Sequence, residues 1–350
     1  MKLRGAKSAN IIIIGVLVLG LVGLLFSEFQ KKPKTLQISE QPFEDFKVSK
    51  YPPELSIESL KNMKLKGTNL TFVEQIRDHY SYVSHQVFYY SKGVKVSGVL
   101  SIPKGKGPFP VIILNHGWYP LEKYKVGTGL KRELDYFSKH RYVTFHPDYR
   151  DHAKSDKNVD PRKIYDGSLG FAMDTTNAVY ALENANLPEL DMTRVGLLGH
   201  SMGGDIGMDV AVTKPYLFDA MVLYAPANTN AWKNFDRWKH QDFSWPFIKR
   251  TLDTLGDYKS NPENWNAMSA TPYLEEVQVP IQIYHGAKDE IVPLSWSQDL
   301  AKRLKELGKS VELIIYPEED HEFQEGYSDY IFGAHDFFDQ YLANSRAEWK

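Results

Sequence analysis

No cysteine occurs among the 350 residues. That absence excludes disulfides, thiolate metal sites, a cysteine nucleophile and a lipidated N-terminal cysteine. It does not fix the compartment. Charge of one sign is also missing: Lys+Arg 42 against Asp+Glu 44 gives a formal net charge of -2. No basic excess exists to neutralise phosphates, so a nucleic-acid partner is not expected. There is no H-E-x-x-H or comparable ligand spacing, so neither a metal nor another cofactor is expected. Internal repeats and low-complexity segments are lacking too. What is present is ordinary for a globular protein, with 25% charged and 42% hydrophobic residues. The length allows two domains, or one large α/β domain with insertions. Aromatics reach 13%, with seven Trp.

One long apolar run stands out. Residues 1–9 are basic, with Lys2, Arg4 and Lys7, and an uncharged stretch follows from Ile11 to Phe26. With Ala9, Asn10 and Ser27 at its edges the stretch is about 19 residues, which at about 1.5 Å each match a bilayer core. No polar face interrupts the run, and no small-x-small cleavage site follows it, because the exit reads Leu24-Leu25-Phe26-Ser27-Glu28. Residues 10–27 are therefore expected to be an uncleaved transmembrane signal anchor. Lys31, Lys32 and Lys34 balance the basic residues before the span, while Glu28 and the amino terminus favour the N-terminus inside. The expectation is a single-pass membrane protein whose catalytic body, residues 51–345, is extracytoplasmic. Residues 28–50, polar and carrying Pro33 and Pro42, read as a linker.

A short helix is expected over Leu55 to Met63. From residue 80 a regular rhythm begins. Tyr82–Tyr90 and Val94–Ile102 read as an antiparallel hairpin turned at Lys92-Gly93. Buried strands are predicted at Val111–Leu114, Tyr142–His146, Val195–Leu198, Ala220–Tyr224, Ile281–Tyr284 and Val311–Ile315. Helices are predicted at Leu130–Lys139, Ala172–Glu183, Met202–Val212, Ser297–Glu306 and Tyr327–Leu342. Apolar strands alternating with amphipathic helices mean a mostly parallel twisted sheet with helices on both faces, and the hairpin as its antiparallel N-terminal edge. Residues 227–272 break the rhythm, and four of the seven Trp lie there. Such a long connection reads as a helical aromatic lid insertion, or as a subdomain with its own small aromatic core.

The chemistry centres on Gly199-His200-Ser201-Met202-Gly203, which follows a predicted strand and opens a predicted helix. A G-x-S-x-G at that junction places a serine on a sharp turn, with small residues letting the backbone pass closely and helix N–H groups aimed at developing negative charge. A serine hydroxyl needs a base, and the base needs an orienting acid. Among eleven histidines, His321 lies just beyond the last strand, at the sheet edge where Ser201 emerges. His285, His335 and His200 read as structural. Asp289 follows the penultimate strand, so its loop adjoins that of His321. Glu290 and Asp320 are its rivals. The chain order Ser201, Asp289, His321 is that of an α/β-hydrolase.

Two backbone donors are expected to form an oxyanion hole: the N–H of Met202, and that of Trp118 in the loop Asn115-His116-Gly117-Trp118-Tyr119. Tyr119, Trp232, Trp238 and Trp245 are candidate walls of a substrate pocket, with simple packing as the alternative for such aromatics.

These segments together resemble the catalytic domain of the prolyl oligopeptidase family. They are Phe109-Pro110 through Asn115-His116-Gly117, His146-Pro147-Asp148-Tyr149-Arg150, Gly199 to Gly204, the His-Gly-x-x-Asp of 285–289, and Asp320-His321. The resemblance covers residues 80–345. It implies an α/β-hydrolase fold, Ser201 as nucleophile, Asp289 as acid, His321 as base, and Trp118 and Met202 as oxyanion donors. Two departures stand out: too few residues precede the hairpin for the family's β-propeller, and Arg150-Asp151-His152-Ala153 replaces a glycine-bearing stretch.

The reading that follows is a membrane-tethered serine hydrolase acting on a small-molecule ester or short peptide, with ester hydrolysis ahead of peptide hydrolysis. The alternative is an exopeptidase or acylaminoacyl peptidase, which would need a site for a charged terminus, with Arg150 as the candidate. A non-catalytic binding protein on a hydrolase scaffold is the distant alternative.

Overall fold

A computed structural model of the chain describes residues 56–157 and 167–342. The expected anchor at 10–27 and linker at 28–50 lie outside the described residues. Among the described residues no helix is long and apolar enough to cross a membrane.

Helix α1 (Ile57–Asn62) is capped by Ser56, whose hydroxyl accepts the Ser59 N–H at 3.1 Å. Three antiparallel strands follow, β1 (Thr71–Asp78), β2 (Tyr82–Ser91) and β3 (Val94–Pro103). The β2–β3 turn uses Lys92 at φ 52° and Gly93 at φ 85°, the left-handed pair that a two-residue hairpin requires. The chain then alternates through β4 (Phe109–Asn115), α2 (Lys131–Lys139), β5 (Val143–Pro147), α3 (Leu169–Ala185), β6 (Leu190–His200), α4 (Met202–Thr213) and β7 (Ala220–Tyr224). The insertion contains α5 (Ala231–Asp242), α6 (Trp245–Leu255), α7 (Pro262–Ala267) and a 3₁₀ turn at Thr271–Glu276. The final run is β8 (Ile281–Gly286), α8 (Leu294–Glu306), β9 (Val311–Tyr316) and α9 (Tyr327–Leu342).

The sheet order is β1-β2-β3-β5-β4-β6-β7-β8-β9. β3 pairs with β5 antiparallel, and every pairing from β5 to β9 is parallel. This is the expected α/β-hydrolase arrangement. Because β4 to β8 are covered on both faces, their residues read as continuous apolar runs rather than alternating ones. One core face packs α3 and α4, and the other packs α2 and α9.

Strand β1 was not expected. All eight of its residues are exposed, so it carries no buried face and no two-residue apolar period. The helices of the insertion turn their aromatic rings toward one another. Trp265 is fully buried, with Trp232 edge-on at 4.8 Å and Phe235 at 5.0 Å, and its ring N–H donates to the Gly256 carbonyl at 2.9 Å. These residues are continuous with the larger core.

That continuity is testable. Trp265→Ala should destabilise the protein by about 3–5 kcal/mol, as for other fully buried aromatics. Denaturant unfolding measures it, and a loss under about 1 kcal/mol would mean that the insertion is not part of the cooperative core.

Candidate active site

The turn between β6 and α4 holds Ser201 at φ 54°, ψ -120°. A left-handed φ is strained for a serine, so it persists only where neighbours enforce it. Here the Ser201 N–H donates to the Tyr224 carbonyl at 2.9 Å, and the Ser201 carbonyl accepts from Gly204 and Ala227, both at 2.9 Å. A side chain at Gly203 would overlap the Asn115 carbonyl at the end of β4. Only glycine lets α4 start that close to the neighbouring strand. On the other side, a methyl group at Gly117 would lie 3.1 Å from Ser201 Cβ. The loop that carries Trp118 therefore crosses directly over the serine. Among the described residues, no backbone acceptor pairs with the N–H of Met202 or of Trp118.

His321 and Asp289 come from the loops after β9 and β8. His321 Nδ1 is 2.7 Å from Asp289 Oδ2. The other oxygen, Oδ1, accepts the N–H groups of Ile291 at 2.9 Å and Val292 at 2.8 Å. His285 Nε2 also stands 3.3 Å from Oδ2. Burial favours the neutral acid, yet the hydrogen bonds from His285 and His321 and from the Val292 amide hold the Asp289 carboxyl well below the usual range. With Nδ1–H engaged by a carboxylate, His321 keeps Nε2 free to accept a proton. Of the rivals, Asp320 bonds the Glu322 N–H within its own turn, and Glu290 is exposed. Ser201 Oγ makes no hydrogen bond to His321 among the described residues.

The two loops are tied to each other. Ala287 N–H donates to the Tyr316 carbonyl at 2.8 Å, and Lys288 N–H to the Glu319 carbonyl at 2.9 Å. Arg132 donates to the carbonyls of Glu322 at 2.6 Å and Phe323 at 2.9 Å. Arg237, on α5, does the same for the acid loop, donating to Ile291 O at 2.8 Å and Glu290 O at 3.0 Å. Neither arginine carried a sequence signal, because each acts on backbone more than 50 residues away. His285 was read as structural, and its place against the acid becomes visible only once the turn is folded.

His200 does pack, as expected. Its ring stacks on Tyr224 at 4.4 Å, and its Nε2 lies 3.2 Å from the His321 carbonyl. Burial, with His321 nearby, pushes its imidazole down to about 3, so it stays neutral. Tyr119 lines a cavity of about 300 Å³ together with His200, Tyr224 and Glu322. Trp232 belongs to the aromatic interior of the insertion, Trp238 packs edge-on to Trp296 at 5.7 Å, and Trp245 is 66% exposed. Arg150 is engaged elsewhere: it forms a bidentate pair with buried Asp174, Nε to Oδ2 at 2.9 Å and one terminal nitrogen to Oδ1 at 2.6 Å. The candidate for a charged terminus is thus already paired.

Behind the serine turn, Ser168 Oγ lies 2.8 Å from Asp205 Oδ2 and also reaches Asp209 Oδ2. Asn234, from the insertion, donates to Asp205 Oδ2 at 3.0 Å. One hydroxyl hydrogen cannot serve two carboxylates at once. Burial pushes the Asp205 carboxyl up.

The profile of the prolyl oligopeptidase family matches residues 167–345. The chain is similar to Protein usf of Aquifex pyrophilus, 25% identical over 244 residues, covering 69% of this chain and 87% of that one. Its fold is similar to that of the Pyrococcus horikoshii acylaminoacyl peptidase, with a TM-score of 0.61 and 22% identity. That match covers 75% of this chain and 42% of the other, so the chain spans less than half of that protein. It is also similar to acetyl xylan esterase 1 from Thermoanaerobacterium, with a TM-score of 0.61 and 16% identity, covering 86% of this chain and 99% of the other.

The clasp behind the turn gives a signed pH prediction. An acid whose folded pKa lies above its unfolded value keeps its proton when folded while the unfolded chain loses it, so stability falls as pH rises. The melting temperature should fall between pH 5 and pH 8, and Asp205→Asn should fall less across the same range. A parallel decline in both proteins would remove Asp205 as the source.

Proposed function

The chain belongs to the prolyl oligopeptidase family of serine hydrolases, and we propose that Ser201, His321 and Asp289 form its catalytic triad, hydrolysing carboxylic esters and short peptide or amide bonds. One observation carries this reading: the His321–Asp289 pair, bonded at 2.7 Å, converges on the sheet edge where Ser201 is held in a strained turn. In the proposed cycle His321 Nε2 takes the Ser201 proton as Oγ attacks the carbonyl. Asp289 stabilises the imidazolium that results. The oxyanion of the tetrahedral intermediate meets the N–H groups of Met202 and Trp118, each such donor being worth about 2.7–4 kcal/mol in the transition state. The imidazolium then protonates the leaving group, and a water molecule repeats the sequence on the acyl-enzyme.

Ester hydrolysis is placed first on chemical grounds. An alcohol leaves with less demand for protonation than an amine, so it asks less of the general acid. Two arms test the assignment. A fluorophosphonate probe should label the wild-type protein and not Ser201→Ala. Asp289→Asn should lower turnover of a p-nitrophenyl ester by on the order of 10⁴-fold. A folded wild type that resists the probe sinks the assignment. Parallel turnover of p-nitrophenyl esters and aminoacyl anilides ranks the two bond types.

Residues 10–27 are proposed to tether this domain to a membrane, with the catalytic body extracytoplasmic. The support is the uncharged run Ile11–Phe26 after Lys2, Arg4 and Lys7. The full chain should partition with membranes, resist extraction by high salt or carbonate, and yield to detergent. In sealed cells, external protease should digest the body. Recovery in the soluble fraction would rule the tether out.

A further inference from the structure

The cavity beside His200 takes residues adjacent in sequence to Trp118, Ser201 and His321, and none from the Asp289 loop. Tyr119 follows Trp118, His200 precedes Ser201, and Glu322 follows His321; Arg132, Glu133 and Tyr224 complete its wall. The cavity therefore lies among the loops that carry the serine turn and the proposed base. The cavity holds about 300 Å³.

Its polar atoms are unusual. Glu133 is 2% exposed and Tyr224 1% exposed, yet among the described residues Glu133 Oε1 and the Tyr224 hydroxyl have no hydrogen-bond partner. The hydroxyls of Tyr327 and Tyr330 are also unpartnered, and Glu133 acts electrostatically on all three tyrosines. Buried polar atoms are nearly always bonded, so the two that belong to cavity-lining residues, Glu133 Oε1 and the Tyr224 hydroxyl, mark a place that a ligand completes. The cation nearest at hand is committed. Arg132 donates to the Glu322 and Phe323 carbonyls and lies over the Tyr327 ring at 4.0 Å. Neither Glu133 nor Glu322 forms an ion pair among the described residues.

Charge then selects the ligand. Burial pushes Glu133 up to about 7, against the pull of its own backbone N–H and of the Arg132 charge, with the Glu322 carboxylate a smaller push upward. An anion would be repelled by the two acids once they ionise, and a neutral hydroxyl would leave the buried charge uncompensated. A small cation with several N–H donors relieves it and gives the stranded oxygens their bonds. Lys131 also lines the cavity and, like Glu322, is exposed.

We propose that this cavity is a substrate subsite for a protonated primary amine, held between Glu133 and Glu322 with the Tyr224 hydroxyl as a further partner. The proposal deepens the hydrolase reading and rests on it for the word substrate. It points to esters or amides that carry an ammonium group within reach of the scissile carbonyl.

The test measures binding and labelling separately. Ligand-observed NMR titrations compare n-butylammonium chloride with n-butanol on wild type, Glu133→Gln and Tyr224→Phe. Wild type should bind the ammonium at least about tenfold more tightly than the alcohol, and Glu133→Gln should erase that preference. Tyr224→Phe should weaken ammonium binding about threefold or more, and it decides the matter if Glu133→Gln does not fold. Equal affinities in the wild type, or a preference that survives the variants, overturn the subsite. Butylammonium should also slow fluorophosphonate labelling of Ser201 in the wild type only. Labelling without an amine preference overturns the subsite and leaves the hydrolase reading intact. An amine preference without labelling overturns the hydrolase reading and leaves an amine site.

Discussion

The carboxylate of Asp289 is the constraint on which the rest of the site depends. It is ionised in a place that favours a neutral acid, so each oxygen must be bonded. Oδ1 takes two backbone N–H groups of its own turn, and Oδ2 takes His321, with His285 close by. The arrangement requires β8 and β9 to be parallel neighbours that end together, which they do from Ile281↔Val311 to Gly286↔Tyr316. It also requires the loops beyond them to lie side by side, and two backbone hydrogen bonds hold them there. A slip of one residue between these strands would turn the loops apart. Sheet register and the proposed acid–base chemistry are one constraint seen at two scales.

The sheet edge that carries this chemistry is loaded with unfavourable terms. Ser201 is held in a strained φ, and Ala225 and Phe323 nearby also have positive φ. Such residues cost of order 1–3 kcal/mol each. Buried acids add to this: burial drives Glu133 up to about 7 and Asp148 up to about 6. Those terms are offset elsewhere, by two apolar cores that enclose fully buried Trp265, Phe137, Phe145 and Phe235. Each such aromatic contributes about 3–5 kcal/mol by the truncation measure. Function and stability are thus spatially separated, with the strain at the strand ends and the packing in the layers beneath.

Legibility in the sequence followed the range of the interactions. The hairpin, the parallel strands and most of the helices were readable because each is set by local periodicity and turn chemistry. Ser201, Asp289 and His321 were readable as candidates because a strand–turn–helix motif and loop order place them without any contact being known. β1 escaped because a strand with no buried face has no period to detect. Arg237, Arg132 and Glu133 escaped for another reason. An arginine that clamps a distant backbone looks like any surface arginine, and a buried glutamate in a helix looks like an exposed one until the opposing helix is in place. Arg150 is the reverse case: proximity in sequence to a motif suggested a substrate contact, and Asp174, 24 residues on, takes up its guanidinium.

The aromatic insertion changes meaning on this view. Its tryptophans invite the idea of an apolar substrate wall, yet Trp232 and Trp265 pack on each other and on Phe235. What the insertion presents to the site is polar: Arg237 to the carbonyls of the acid loop, and Asn234 to Asp205 behind the serine turn. Both contacts buttress elements that carry the proposed triad. The cavity beside His200 is lined instead by Glu133, Glu322, Tyr119 and Tyr224, together with Lys131 and Arg132. Discrimination there would come from charge and hydrogen bonding, and such a site rejects a ligand lacking the matching group far more strongly than an apolar pocket can, because an unpaired buried carboxylate is left behind. The aromatic residues of the insertion belong to the packed core, and under the proposed amine subsite the unpartnered polar atoms would decide what the site accepts.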